Sequence, residues 1–166
     1  HSTGAAAMID ILLSTKQDPF DKVILAGPLV RCKWWSQTYV YEQLGIPKSV
    51  VAPRVYTKCT SDDAFMQFIK NDDPLQGNVI PLGWVGAMHR WNEKITKNPV
   101  IRRPIKMIQG DLDATVDWKY NLEFIKLNFG RVNLTLIEGA RHELFNETED
   151  MKTQALEAAG NYLEQP

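Results

Sequence analysis

Three polar residues are placed where side chains can do chemistry. Ser2 sits in His1-Ser2-Thr3-Gly4-Ala5, a knot of small residues that runs straight into the apolar stretch AAAMIDILL. Asp113 lies in IQGDLDATVD and His142 in EGARHELFNE. A serine hydroxyl becomes a nucleophile when a base takes its proton, and an imidazole base needs a carboxylate to hold its tautomer. Serine, then acid, then histidine is one of the chain orders in which such a triad occurs. His1 to Gly4 also supply the last four positions of G-x-S-x-G, the tight strand-to-helix turn that presents a nucleophilic serine. The first glycine of that motif, and the strand before it, are expected upstream of residue 1. Alone, HSTG is a short turn of a common kind, and its weight comes from the other two segments.

Those side chains need elements to hold them. Residues Gly4–Thr15 are apolar nearly all round, which predicts a buried helix. KVILAGPL is a short continuous apolar run stopped by Gly27-Pro28, the pattern of a parallel strand covered on both faces, around Val23–Ala26. From residue 29 the character changes. RCKWWSQTYVYEQLGIP is aromatic and only loosely periodic. TSDDAFMQFIKNDDPL predicts a short helix, with Thr60 or Ser61 as its cap, Asp62 and Asp63 in its first turn and Pro74 at its end. In IPLGWVGAMHRWNEKITKN, Trp84, Met88, Trp91 and Ile95 recur at helical spacing and form one apolar stripe.

Regular alternation then returns. It predicts strands around Ile105–Gln109 and Val132–Ile137, an amphipathic helix in WKYNLEFIKLNF ending at Gly130, and a last helix in MKTQALEAAGNYLEQ. Helix, strand, insert, strand, helix, strand, helix is an α/β pattern with a parallel sheet. Asp113 and His142 each follow a strand, at the carboxyl edge where parallel sheets carry their sites.

Composition narrows the field. The net charge of −1 argues against a nucleic-acid partner, which needs a basic field. No apolar run reaches the roughly 18 residues of a membrane-spanning helix. AAAMIDILL does not read as a secretory signal, because no basic region precedes it and Asp10 interrupts it. Cys32 and Cys59 are too few for a disulfide framework and lie in no metal-binding pattern. They read as free thiols of a reducing compartment, so a cytoplasmic location is expected, with no metal and no cofactor. The sequons at Asn133 and Asn146 are taken as chance matches, the first because it falls in a strand.

With those residues in place, the chain resembles the carboxyl-terminal part of an α/β-hydrolase of the lysophospholipase and monoacylglycerol-lipase group. GDLDATVDWKYNL and EGARHELFNE resemble that group's acid and histidine segments, HSTGA its elbow, and TSD…DDPL its cap. The resemblance implies an α/β-hydrolase parallel sheet with a helical cap insertion: core residues 1–29 and 98–166, and a cap over residues 30–97. It implies that Ser2 attacks, His142 moves the proton and Asp113, at G-x-x-D spacing from Gly110, orients the imidazole. Asp111 and Asp117 then serve as loop caps. The N–H of Thr3 becomes one oxyanion donor, and a second is expected from a loop outside this chain. The implied substrates are carboxylic esters, among them monoacylglycerols and lysophospholipids.

Two readings of the cap stay open. Trp34, Trp35, Tyr39 and Tyr41 either meet acyl chains as a lid face or pack the cap on the core. Trp84 and Met88 are core of the cap whose inner side can double as a pocket wall, His1 can line the pocket, and His89 is a packing or surface residue. Rival functions on the same pattern are thioester or amide hydrolysis, acyl transfer, and a non-catalytic binding fragment. The resemblance also implies an amino-terminal segment or second chain that completes the sheet, and transient contact of the cap with a membrane surface.

Overall fold

The computed structural model describes residues 1–15, 19–44, 47, 49–97 and 100–165. Its elements are α1 (Ser2–Ser14), β1 (Ile24–Ala26), α2 (Trp35–Gln43), β2 (Val51–Pro53), α3 (Asp63–Asn71), β3 (Val79–Pro81), α4 (Leu82–Ile95), β4 (Arg103–Gly110), α5 (Trp118–Phe129), β5 (Gly130–Ile137), a 3-10 turn at Leu144–Asn146, and α6 (Glu149–Glu164).

Three strands form a parallel sheet in the order β1-β4-β5. Helices lie on both faces, which is why β4 carries an unbroken buried run from Ile105 to Gly110. On one face Leu25, Ile105 and Met107 pack with Ile9 and Leu12 of α1 and with Phe124 and Ile125 of α5. On the other, Ala26, Ile108 and Ile137 pack with Ala155 of α6. One of these buried residues is a lysine. Burial pushes the pKa of Lys106 down, and its ammonium donates to Asn133 Oδ1 at 2.9 Å and Thr135 Oγ1 at 2.7 Å on β5. Asn133, the first sequon asparagine, is therefore engaged within the sheet. Gly130 ends α5 with φ 72°, a conformation glycine adopts without a Cβ penalty.

Between β1 and β4 the chain departs from the alternation. Helix α2 was not apparent in the sequence because its aromatic and polar residues keep no 3.6 period. Strands β2 and β3 pair antiparallel over three residues each, too short for an alternation to show. The cap of α3 is Asp62, whose side chain accepts from Phe65 N, and not Thr60 or Ser61. Those two residues are otherwise engaged: Thr60 Oγ1 donates to Asn146 O at 2.6 Å, and Ser61 N donates to Glu147 Oε2 at 2.7 Å. The buried face of α4 holds Val85, Met88, His89, Asn92 and Ile95. Trp84 is exposed and Trp91 half-buried, so the two tryptophans form the rim of the stripe rather than its centre. Trp91 Nε1 and Lys94 Nζ both donate to Asp10 Oδ1, at 3.1 and 3.0 Å, and tie α4 to α1. Among the described residues no helix is long and apolar enough to cross a membrane.

One backbone position admits no side chain. A Cβ on Gly110, the last residue of β4, would lie 2.3 Å from Ala140 O and 2.4 Å from Arg141 O. Gly110→Ala must therefore push away the loop that carries His142. Forcing atoms into a packed site costs about 1–3 kcal/mol. The urea midpoint of Gly110→Ala is expected to fall accordingly at constant m-value, and an unchanged midpoint would show that the loop yields freely.

Candidate active site

Ser2 is the first residue of α1 and has φ 50°, the one positive φ outside glycine among the described residues. A left-handed backbone at a residue with a Cβ stores strain, and a sharp turn into a helix is where a nucleophilic serine is held that way. Its carbonyl accepts from Leu29 N at 3.3 Å, which fastens the turn to the chain leaving β1. The hydroxyl Oγ lies 2.9 Å from His142 Nε2.

His142 and Asp113 hang from neighbouring strands. Gly110 at the end of β4 pairs with Ile137 at the end of β5, and the acid and the histidine follow three and five residues later. His142 Nδ1 lies 2.8 Å from Asp113 Oδ2, and both residues are 3% exposed. The other carboxylate oxygen accepts from Thr115 N at 2.8 Å and Val116 N at 3.1 Å. Burial works to raise the pKa of Asp113. The hydrogen bond and charge of His142 and the two amides outweigh it and hold the carboxyl below its ordinary value.

The competing acids do other work. Asp111 Oδ1 accepts from Gly139 N at 2.7 Å, and Asp117 caps α5 by accepting from Tyr120 N. Sequence reasoning missed Gln109, fully buried on β4, whose Nε2 donates to Asp113 Oδ2 at 3.0 Å. Its signal was there: a polar residue in an apolar strand, directly before the loop that bears the acid.

His1 stands beside the triad geometry. Its Nε2 is 2.9 Å from His142 O, and the two rings are 4.8 Å apart. The residue after β1 also lies close to both histidines. A Cβ on Gly27, at φ 46°, would meet His142 Nδ1 and His142 O at 3.3 Å. His1, His142 and Glu143 bring ligand-type atoms within 4.8 Å of one another, yet both His142 nitrogens already face Ser2 and Asp113.

Thr3 is the second residue of α1, so its N–H belongs to the first turn, which has no intrahelical acceptors. Its side chain lines a cavity of about 310 Å³ between α1 and α4, with Ala6, Leu29, Trp84, Met88 and Trp91 on the walls. Trp34 and Trp35 do not line it. Trp34 is 60% exposed, whereas Trp35 packs 3.9 Å from the buried ring of His89, whose Nε2 lies 3.0 Å from Thr38 Oγ1. The side chain of Tyr41 lies outside the described residues. Both cysteines are free; burial raises the pKa of Cys32 and pushes that of Cys59 up to about 11.

A parallel sheet wrapped by helices, with polar groups gathered beyond its strand ends, defines an α/β-hydrolase fold. Residues 1–149 match the family model for serine aminopeptidase, S33, and the chain belongs to that family. Among solved structures it is similar to a soluble variant of monoglyceride lipase from Saccharomyces cerevisiae, with TM-score 0.83 and 21% identity over 99% of this chain and 59% of that one. It is similar to the monoacylglycerol lipase of Paleococcus ferrophilus, with TM-score 0.81 and 18% identity over 98% of this chain and 65% of that one. A metagenome-derived lipolytic enzyme aligns with TM-score 0.70 and 16% identity over 98% and 62% of the two chains. The chain thus spans less than two thirds of these neighbours, and identities this low speak to fold. No curated protein gives a significant match.

Proposed function

We propose that the protein is a serine hydrolase of carboxylic esters, with monoacylglycerols or lysophospholipids as its substrate class. The observation that carries this reading is the continuous line of hydrogen bonds from Ser2 Oγ through both nitrogens of His142 to Asp113. The activity is read for a catalytic unit the length of the lipase neighbours, to which this chain contributes nucleophile, base and acid.

The steps follow from the geometry. Ser2 Oγ attacks the ester carbonyl as its proton passes to His142 Nε2, and Asp113 stabilises the imidazolium through Nδ1. The carbonyl oxygen, now negative, is received by the N–H of Thr3. The tetrahedral adduct collapses, His142 gives its proton to the departing alkoxide, and an alcohol leaves an acyl group on Ser2. Water then attacks that acyl group with His142 again taking the proton. The acid departs and the proton returns to Ser2.

Two features favour an acyl substrate. The cavity beside Thr3 has apolar walls, among them Trp84 and Met88. Around α2 and the strand after it, Trp34, Tyr39, Val40, Leu44, Val51 and Val55 are exposed, the composition of a lid that meets lipid. On this reading residues 30–97 act as the cap and touch a membrane surface transiently. Two unpaired thiols suit a cytoplasmic setting. The family description, an aminopeptidase, favours amide hydrolysis as the second reading.

The test is a panel of glycerol and p-nitrophenyl esters of rising acyl length, run with amino-acid p-nitroanilides on the full-length protein. Long-chain ester turnover, with fluorophosphonate labelling of Ser2, is the expected result. Turnover of anilides alone would transfer the site to amides, and no labelling would favour a binding protein. Ala87→Trp, at an exposed position on the cavity wall, is expected to spare acetyl esters. For long chains it should displace two or three methylenes, worth about 2 kcal/mol or a thirtyfold loss in kcat/KM. Equal losses for both would separate this cavity from the acyl site.

A further inference from the structure

Glu147 is a carboxylate in an improbable place. It is 2% exposed and follows the 3-10 turn after His142. A buried charge persists only where hydrogen bonds replace its water. Here both oxygens are engaged by backbone from two different parts of the chain. Oε1 accepts from Arg141 N at 2.7 Å, the residue before His142, and Oε2 accepts from Ser61 N at 2.7 Å, just ahead of α3. Bonds of this length to an ionised acceptor are among the stronger ones in proteins.

Further bonds stitch the same two segments. Glu143 N donates to Cys59 O at 2.8 Å, and Thr60 Oγ1 donates to Asn146 O at 2.6 Å. Thr60 Oγ1 also accepts from Asp62 N at 3.0 Å, so the link runs into the cap residue of α3 itself. His142 thus sits in a loop held on both sides: Arg141 and Glu143, its two neighbours, are each bonded across this bridge. Asp113 and Ser2 fix where the imidazole ring must point, but they do not hold the backbone from which it hangs.

We propose that Glu147 is a positioning residue for His142. It holds the histidine loop against the segment Cys59–Ser61 so that the ring stays in line between Ser2 and Asp113. The inference rests on reading those three residues as a hydrolytic triad. Nothing about Glu147 requires it to touch substrate. Its effect passes through the Arg141 amide, and the α3 segment is its second anchor.

The experiment uses the full-length protein with Glu147→Gln and Thr60→Val, and with Ser2→Ala as the control for the triad itself. Glutamine keeps the size of the side chain, but its NH2 group faces one of the two N–H donors, so one anchor is lost. Each variant is measured per folded molecule, taken from near-ultraviolet circular dichroism. With Glu147→Gln, kcat is expected to fall roughly 10²-fold, the effect of a displacement of about 1 Å, with KM changed less than about threefold. The low-field proton resonance of His142 Nδ1, present in the parent, is expected to shift or broaden. Thr60→Val, which removes the bond to Asn146 O and the acceptor of Asp62 N but no charge, is expected to lower kcat roughly tenfold with the same split, and it decides the matter if Glu147→Gln does not fold. A folded variant with kcat within about twofold of the parent and an unmoved resonance overturns the proposal. So does an activity loss that only tracks the loss of folded protein. If Ser2→Ala retains activity, the triad reading fails instead, and that outcome is distinct because it is read in a variant whose Glu147 bonds are untouched.

Discussion

Ser2→Ala is expected to abolish ester turnover, by roughly 10⁶-fold in kcat on the scale of triad serines elsewhere, while substrate binding stays nearly intact. The hydroxyl is the only part removed, and it is the group 2.9 Å from His142 Nε2. Alanine inherits the positive φ with the same Cβ penalty as serine, so the elbow is not relaxed and the cavity wall at Thr3 does not move. Folding stability should therefore change little. Steady-state kinetics give the first half of the result, and equilibrium binding of a non-hydrolysable ether analogue gives the second. Turnover comparable to the parent would place the nucleophile elsewhere.

Asp113→Asn is expected to cost about 10⁴ in kcat, the loss the same change brings in a serine protease. The reason is the tautomer. An asparagine NH2 facing Nδ1 favours the imidazole with its proton on Nε2, which then cannot take the proton of Ser2. Asp111→Asn and Asp117→Asn are the controls, since each acts by accepting a backbone N–H, which an asparagine oxygen can also do. If either lowers kcat more than Asp113→Asn, the acid is misassigned. A second readout concerns stability. The carboxyl of Asp113 is held low in the folded protein, against about 3.9 when unfolded. Its contribution is thus complete above the unfolded value and is lost as pH falls through the folded one. Urea midpoints of Asp113→Asn should lack that part of the acid-side decline.

Much of this was legible in the sequence, for definite reasons. Strands β1 and β4 are buried along most of their length and read as short, largely apolar runs, whereas β5, of which only Ile137 is buried, shows as Val132, Leu134 and Leu136 at alternate positions; α1 and α5 carry large buried faces. Asp113 and His142 could be picked out because a parallel sheet has one functional edge, and both residues stand just beyond it. What escaped lies where the local pattern does not determine the partner. Helix α2 and the β2–β3 ribbon have no periodicity to find. The cap of α3 went to Asp62 because distant groups, Asn146 and Glu147, claim Thr60 and Ser61. Glu147 itself reads as one more acid in a polar loop, and only the fold brings two backbone amides to it.

The two contacts of the proposed triad differ in how much chain they enclose. The His142–Asp113 contact joins residues 29 apart, in the loops that follow adjacent strands, whereas Ser2 and His142 are 140 apart. Closing the larger loop costs about 1.4 kcal/mol more in chain entropy. The Asp113–His142 pair is therefore a nearly local product of β4, α5 and β5, and Ser2 reaches it only when α1 has docked against the sheet. On the proposed mechanism, a partly folded chain carries a base and an acid with nothing to activate. Reactivity of Ser2, as proposed, would thus report on the longer-range of these two contacts and fall silent as soon as α1 lifts away, even while the rest of the sheet remains whole.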